Sequence, residues 1–191
     1  MSVDSSAPAT RSRWTGAAPV GTVISVLVLA ITLTWTFLAM RAVMHVGGSC
    51  ADGGPYVSSQ SCPDGSYLMA IGIPVMLVTA MAGSAAAISI NAPNLLIPMW
   101  GALFGSLGWN FLEFGYDGGH LVWGWLVCGV MFWLMAAPAV YAILLAVKNA
   151  VLPPRTKRQP ADAGSRWWVP AYAALGAIGS LAGAWTYLAL S

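Results

Sequence analysis

Five apolar stretches, each long enough to cross a bilayer as a helix, constrain this 191-residue chain more than any other feature. A helix needs roughly 20 apolar residues to cross the hydrocarbon. The stretches are Val20–Met40, Tyr67–Ile90, Leu95–Phe114, Leu121–Val147 and Trp167–Leu190, of which the third is the shortest. A two-residue alternation is absent, and lipid leaves backbone polar groups unpaired unless a helix pairs them. The sequence therefore predicts an all-α polytopic membrane bundle with five transmembrane helices.

The composition excludes a water-soluble protein, since 58% of the residues are hydrophobic and only 7% are charged. A soluble domain of that composition would lack a polar surface. Between the apolar stretches, no polar segment exceeds about 25 residues, which is too short for a core of its own. We therefore expect residues 1–191 to form a single transmembrane domain. The formal charge of +2 is small, and we expect no nucleic-acid partner.

The basic residues predict which side of the membrane each gap faces, because Lys and Arg near span ends are retained in the cytoplasm. Most of them fall before the first stretch or between the fourth and fifth: Arg11, Arg13, Lys148, Arg155, Lys157, Arg158 and Arg166. The opposite gaps hold the acidic residues Asp52, Asp64, Glu113 and Asp117, with Arg41 at a span edge. The pattern predicts a multi-pass plasma-membrane protein with N-inside/C-outside topology, a cytoplasmic tail at 1–18 and an outer loop at 44–66. A cleaved signal peptide is the alternative for the N-terminus, but its apolar core would be unusually long.

The outer loop contains two of the three cysteines, Cys50 and Cys62. Thiols outside the cytoplasmic membrane oxidise and remain oxidised, so we expect a structural disulfide between them. A redox-active or metal-binding pair is the alternative, although the C-x-x-C spacing is missing. The third cysteine, Cys128, lies in the fourth stretch, where we expect it to be buried as a small apolar residue.

Polar residues near the membrane are scarce and collect at the outer ends of the first and third stretches. The candidate outer polar site comprises Arg41, His45, Asn110, Glu113, Asp117 and His120. Asn110 and Glu113 share a helix face because they are three residues apart. One hypothesis is that the acidic residues and histidines bind a divalent metal or move a proton, and a haem between His45 and His120 is a weaker version of it. The simpler interpretation is that Glu113 pairs with Arg41 while the others form a solvated turn.

Glycine spacing predicts where helices approach each other closely. In lipid, helices associate through small residues that allow backbones to touch. Gly101 and Gly105 lie four residues apart in the third stretch, and Gly179 and Gly183 in the fifth. We expect these four glycines to lie at helix-packing faces, either within the chain or against a partner or second copy.

Two motifs together resemble a known group. C-A-x-G-G-P-Y and C-P in the outer loop, followed by G-W-N-F-L-E-F-G, resemble small actinobacterial multi-span membrane proteins of uncharacterised function. The resemblance covers Arg41 to Pro138. It implies that the paired cysteines and the face of Asn110 and Glu113 are shared features, and it implies no activity.

The sequence contains no motif that names a reaction, so we assign no catalytic residues, metal site or cofactor and leave room only for a bound lipid. The preferred function is a non-catalytic subunit or assembly partner of a larger cell-envelope or respiratory membrane complex. The alternative is a small permease or channel, possibly oligomeric, with Asn110 and Glu113 along its path. Five spans cannot form two equal inverted repeats, which argues against the alternative. A membrane enzyme ranks third, because the outer acidic and histidine residues are its sole support.

Overall fold

A computed structural model describes residues 16–51, 60–117, 120–151 and 163–191 of the chain. These residues form five α-helices and a short antiparallel ladder of two strands. The elements are α1 (Ala18–His45), α2 (Tyr67–Ser89), α3 (Leu96–Gly115), β1 (Tyr116–Asp117), β2 (His120–Leu121), α4 (Trp123–Val151) and α5 (Ala163–Leu190). In the ladder, Tyr116 pairs with Leu121 and Asp117 with His120, so the two strands form the tight connection between α3 and α4.

Close contacts at glycines fix the directions of α1 and α2. A Cβ added at Gly72 would lie 3.1 Å from the hydroxyl of Thr36, and one added at Gly83 would lie 2.5 Å from the Cβ of Ser25. Later residues of α2 therefore meet earlier residues of α1, which makes the two helices antiparallel. Small residues at these positions allow the backbones to approach.

The directions of the other three helices follow from their contacts in the same way. On α5, Gly179 lies against Leu27 and Gly183 against Ile31, so α5 runs parallel to α1. On α3, Met99 joins a core cluster with Val26 and Leu29, whereas Glu113 meets Arg41, so α3 also runs parallel to α1. On α4, Leu126 lies against Gly115 and Ala139 against Gly101, so α4 runs antiparallel to α3. The described helices thus alternate in direction along the chain.

The bundle has two distinct ends, which we name by their residues. The cystine end holds Cys50 and Cys62, the end of α3 and the C-terminal Ser191, which lies beside Gly65. There the hydroxyl of Tyr67 also donates a hydrogen bond to the carbonyl of Leu190, at 3.3 Å. The basic end holds the start of α1, the turn between α2 and α3, and Lys148 of α4. At this end the hydroxyl of Tyr172 donates to the carbonyl of Pro93, at 3.1 Å.

Helix α1 is the centre of the bundle because it packs against α2, α3 and α5. Three buried threonine hydroxyls of α1 are satisfied within the helix. The hydroxyls of Thr22, Thr32 and Thr36 each donate to the carbonyl four residues earlier, at 2.8–2.9 Å. This bond satisfies a buried hydroxyl without a partner helix. Trp35 makes a bond to another helix. Its indole nitrogen donates to the hydroxyl of Thr186 at 2.9 Å, which connects α1 with α5.

The predicted all-helical character is confirmed, and the helices indicate a membrane-embedded protein. Four segments are long and apolar enough to cross a membrane: Ala18–His45, Tyr67–Ser89, Trp123–Lys148 and Trp167–Leu190. Helix α3 has 20 residues and is not among these four. Its polar residues near the cystine end, Asn110 and Glu113, lower its hydropathy.

Several helix bounds differ from the predicted stretches. Helix α1 continues past Met40 to His45, so Arg41 lies within its last turns, and His45, which was expected in the outer loop, is its last residue. Helix α4 begins only at Trp123, because the two residues before Val122 pair with the two residues that follow α3. Helix α5 begins at Ala163, which places Arg166 in a helix. Other predicted features lie outside the described residues, namely Arg11, Arg13, Asp52, Arg155, Lys157, Arg158 and most of the 1–18 tail.

The expectation that Cys128 is buried is wrong, and Gly105 does not pack against another described helix, so its packing against a partner or second copy stays a prediction. A Cβ added at Gly105 would point into open space. One added at Gly101, one turn earlier, would lie 3.3 Å from the Cβ of Ala139. Helix α4 therefore packs along the Gly101 side of α3, and Gly105 faces elsewhere. Cys128 is exposed and not buried, because α4 turns Gly129 toward α3 instead.

Candidate functional site

The strongest polar interaction among the described residues joins Arg41 of α1 to Glu113 of α3. The Nη1 and Nη2 atoms of Arg41 donate to Oε2 and Oε1 of Glu113, at 2.5 and 2.8 Å. Such a two-bond pairing fixes both the distance and the orientation of the two groups. The side chains are 26% and 43% exposed, so the pair lies at the edge of the bundle and not in its interior.

Asn110 extends this pair into the bundle. It lies one turn before Glu113 on the same face of α3 and is completely buried. Its Oδ1 accepts a hydrogen bond from Nη1 of Arg41 at 3.3 Å, and its Nδ2 donates to the carbonyl of Phe37 at 3.4 Å. The amide thus uses both its acceptor and its donor on α1, which offsets the cost of burying it.

Aromatic rings surround the guanidinium of Arg41. Its Cζ lies 5.7 Å from the ring centre of Phe37 and 5.3 Å from that of Phe114, within the range of cation–π attraction. The imidazole of His45 meets Phe114 edge to face at 4.7 Å between ring centres. Trp125 of α4 lies 6.2 Å from Phe114 and extends the aromatic contacts to a third helix.

The loop after α1 covers this aromatic group. Gly47 and Gly48 both have positive φ angles, +95° and +81°, which glycine adopts without strain and which turn the chain back over the bundle. A Cβ at Gly48 would lie 3.1 Å from Cζ2 of Trp125, so the backbone passes directly over the indole. The described part of the loop is then closed by the disulfide between Cys50 and Cys62, whose Cα atoms are 4.9 Å apart.

The predicted site residues separate into two sets. The structure brings together Arg41, Asn110 and Glu113, as expected from their positions at the ends of two stretches. His45 lies next to them but contacts the ring of Phe114. His120 is exposed in β2 and Asp117 pairs with it through the backbone. Among the described residues, no group of three or more His, Cys, Asp or Glu side chains is placed to hold a metal ion. The side chain of Asp117 lies outside the described part of the structure.

Sequence reasoning missed the aromatic residues of the site. Phe37 lies four residues before Arg41 on α1, and Phe114 directly follows Glu113 on α3. Residues four apart on a helix contact each other, so the sequence could have predicted the contact between Phe37 and Arg41. The contact of Trp125 depends on how α4 folds back after the ladder, and no local pattern predicts it.

The arrangement is suited to holding helices together. Its charges neutralise each other, its amide is satisfied on both sides and its rings fill the space around the cation. Within the described residues, no buried side-chain nitrogen or oxygen lacks a hydrogen-bond partner. We call Arg41, Asn110 and Glu113, together with Phe37 and Phe114, the polar clamp, because these residues connect α1 with α3. Comparison of the chain with protein-family models, curated proteins and solved structures found no match.

Proposed function

We propose that the chain is a five-span, non-catalytic subunit of a larger plasma-membrane complex, with its N-terminus in the cytoplasm and its C-terminus outside. The observation that carries the proposal is the exposure of α4. The resemblance to small actinobacterial membrane proteins brings no activity, so the proposal depends on geometry and charge.

The proposal treats α3 as the fifth span. Its 20 residues correspond to a length of about 30 Å at 1.5 Å per residue, which matches the hydrocarbon thickness. Helix α3 packs alongside α1 from Val26 and Leu29, near the basic end, to Arg41, near the cystine end. Since α1 is apolar and long enough to cross, a helix that follows it over this distance crosses too. The basic end, with Lys148, then faces the cytoplasm.

Helix α4 supports the subunit role because it is attached mainly on one side. It packs on α3 through Gly129, Ala136 and Ala139, yet only 11% of its most apolar part is buried, against 39% for α1. At 100° per residue, the opposite face is a stripe of large exposed apolar side chains. These are Trp123, Val127, Val130, Met131, Leu134 and Tyr141. We name this set the α4 stripe and propose that it packs against a partner protein.

The permease alternative has less support. Asn110 and Glu113, the residues expected to line a path, are engaged with α1 through Arg41 and the carbonyl of Phe37. A conducting path along them would need these bonds to break. The polar clamp therefore favours a role in holding the helices over a role in moving an ion.

The first test is purification of the tagged chain from its native membrane in a mild detergent. The proposal expects a defined complex with a second protein at fixed stoichiometry. Recovery of the chain alone, or as a homo-oligomer without another subunit, would contradict it. Because a stoichiometric complex alone does not identify the contact face, the second test uses site-specific photocrosslinking.

A benzophenone side chain is placed at Val127 in the α4 stripe or at Ile178 on α5, which are 59% and 58% exposed. The proposal expects the Val127 probe to crosslink efficiently to the copurifying subunit and the Ile178 control to crosslink mainly to lipid. Equal yields at both positions would remove α4 as the contact face. A higher yield at Ile178 would assign the interface to α5 instead.

A further inference from the structure

The segment that follows α1 contacts a side chain of α4, and a disulfide fixes that segment to the start of α2. A Cβ added at Gly48 would lie 3.1 Å from Cζ2 of Trp125 and 3.8 Å from two further atoms of its indole, so the backbone packs directly against the ring. Two residues after Gly48, Cys50 is bonded to Cys62, shortly before α2 begins at Tyr67. We call Gly48, Cys50 and Cys62 the cystine strap, because together they connect α4 with α2.

The start of α2 is a firm attachment for the cystine strap. A Cβ added at Gly65 would lie 3.2 Å from the ring of Tyr187, so the segment between Cys62 and α2 packs closely against α5. Tyr187 is buried in a cluster with Ala39 of α1 and Leu68 of α2. The disulfide thus ties the segment over α4 to the part of the bundle in which α1, α2 and α5 meet.

Helix α4 itself packs mainly on α3. Leu126 lies against Gly115, and Gly129 lies against Leu112. Helices α3 and α4 therefore form a hairpin that rests on the other three helices. At the cystine end this hairpin has two attachments to them, the polar clamp on α3 and the cystine strap on α4.

The cystine strap also determines which way the α4 stripe faces. Trp125 and Val127 are two residues apart, which places them about 200° apart around the helix. The indole of Trp125 contacts Gly48 and lies 6.2 Å from the ring of Phe114, whereas Val127 is 59% exposed. Holding the indole on the protein side therefore keeps Val127 and the rest of the stripe turned outward at this end of α4.

We propose that the Cys50–Cys62 disulfide is a redox switch for the α4 stripe. In the disulfide form, Gly48 holds Trp125 and the stripe is presented to its partner. In the dithiol form, the segment after α1 leaves the indole, the first turns of α4 loosen and the partner binds more weakly. The effect on the partner rests on the proposed function, whereas the effect on α4 does not.

The switch operates by thiol–disulfide exchange. Cys50 and Cys62 are both partly exposed, so a redox protein or small dithiol can reach them. As their S–S bond forms, the two thiols lose two protons and two electrons, and the disulfide of the oxidant takes up both as its own S–S bond breaks. A reduced dithiol reverses the reaction. The chain therefore adopts its binding form in an oxidising compartment.

The first test is hydrogen–deuterium exchange of the purified full chain before and after reduction, because amide exchange reports local opening. The proposal expects reduction to accelerate exchange several-fold in residues 123–130 and to leave residues 139–147, at the other end of α4, unchanged. Cys50→Ser should produce the same change without a reductant, whereas Cys128→Ser should not. Exchange in residues 123–130 that does not respond to reduction would overturn the proposal.

Two neighbouring glycines provide a matched pair that keeps the disulfide intact. Gly47 and Gly48 both have positive φ angles, so alanine is strained at either position. A Cβ at Gly47 would meet open space, whereas one at Gly48 would press on Trp125. Gly48→Ala should therefore accelerate exchange at the start of α4 several-fold, and Gly47→Ala should have a much smaller effect. Equal exchange by the two variants would overturn the role of the contact. This pair decides the matter where Cys50→Ser does not fold.

The second test measures the consequence for the partner. Photocrosslinking from Val127 to the copurifying subunit should fall several-fold in the Cys50→Ser and Gly48→Ala chains and remain unchanged in the Gly47→Ala chain. Faster exchange in α4 with an unchanged crosslinking yield would overturn the action of the switch on the partner. Absence of any subunit from the wild-type preparation would contradict the proposed function alone, because the exchange measurement needs no partner and still decides whether the disulfide controls α4.

Discussion

The guanidinium of Arg41 binds both carboxylate oxygens of Glu113 across 72 residues of sequence, at 2.5 and 2.8 Å. This pair connects α1 with α3 at the cystine end, while a cluster that includes Val26, Leu29, Leu95 and Met99 connects their segments at the basic end. The two helices are therefore joined at both ends by different kinds of interaction. The polar one specifies register, because a shift of either helix by one residue would separate the charged groups.

Removing the charge of Glu113 should destabilise the bundle modestly. Glu113→Gln leaves Arg41 without its anionic partner, and we expect a loss of about 1 kcal/mol, since the pair is partly exposed. For a chain of this size, that loss lowers the thermal midpoint by about 2–4 °C. The measurement is thermal unfolding in detergent, with Asp64→Asn as the control because Asp64 is exposed at the same end of the bundle.

A double-mutant cycle separates the pair from effects on each residue alone. Arg41→Gln combined with Glu113→Gln should cost less than the sum of the two single changes, because the second change has no ion pair left to break. Strict additivity would show that the two side chains do not stabilise each other in the detergent-solubilised protein.

Two glycines of α5 should respond to alanine in opposite directions. A Cβ at Gly183 would lie 2.9 Å from the Cβ of Thr34 and 3.0 Å from the backbone of Ile31, so Gly183→Ala pushes α5 off α1. We expect a loss of about 1–3 kcal/mol. Gly176 has open space at the same point, and Gly176→Ala should stabilise by about 0.5–1 kcal/mol through higher helix propensity. The same sign for both variants in thermal unfolding would contradict the close contact between α1 and α5.

Loss of the disulfide should destabilise the cystine end. The cysteines are separated by 12 residues, and closing such a loop is worth about 3 kcal/mol in the chain-entropy model. Cys50→Ser, or reduction of the wild-type protein, should lower the thermal midpoint, whereas Cys128→Ser should not. Intact-mass analysis after thiol alkylation should add one label to the native protein, at Cys128. Three labels without prior reduction would show that no disulfide forms.

The two chain ends should lie on opposite sides of the membrane. Helices α1 and α5 run parallel, since Gly179 and Gly183 meet Leu27 and Ile31 in the same order. A periplasmic reporter such as alkaline phosphatase should be active when fused after Ser191 and inactive when fused to the N-terminus. Activity at both ends or at neither would refute the N-inside/C-outside topology.

The sequence predicts the parts of this structure that depend on local chemistry. Long apolar stretches are sufficient to predict the helices, because lipid permits few other conformations. Cys50 and Cys62 are paired as expected for two cysteines in one short loop. Arg41 and Glu113 also meet as expected, because each is costly near lipid and both lie at the same end of their helices.

The sequence does not predict which side of an apolar helix faces protein. Helix α4 is apolar on all sides, so neither the exposure of Cys128 nor the open space at Gly105 has a local signal. By sequence alone, His45 and His120 group with the acidic residues because all of them lie near span ends. Their separation depends on tertiary contacts, namely the ring of Phe114 for His45 and the short ladder for His120.

The polar clamp also bears on how the protein is made. Helix α3 carries an amide and a carboxylate that disfavour its release from the translocon into lipid. Helix α1 is synthesised first and presents Arg41 and the carbonyl of Phe37, the two groups that Asn110 and Glu113 require. In the proposed five-span topology, we therefore expect α1 to favour insertion of α3 by supplying these two partners.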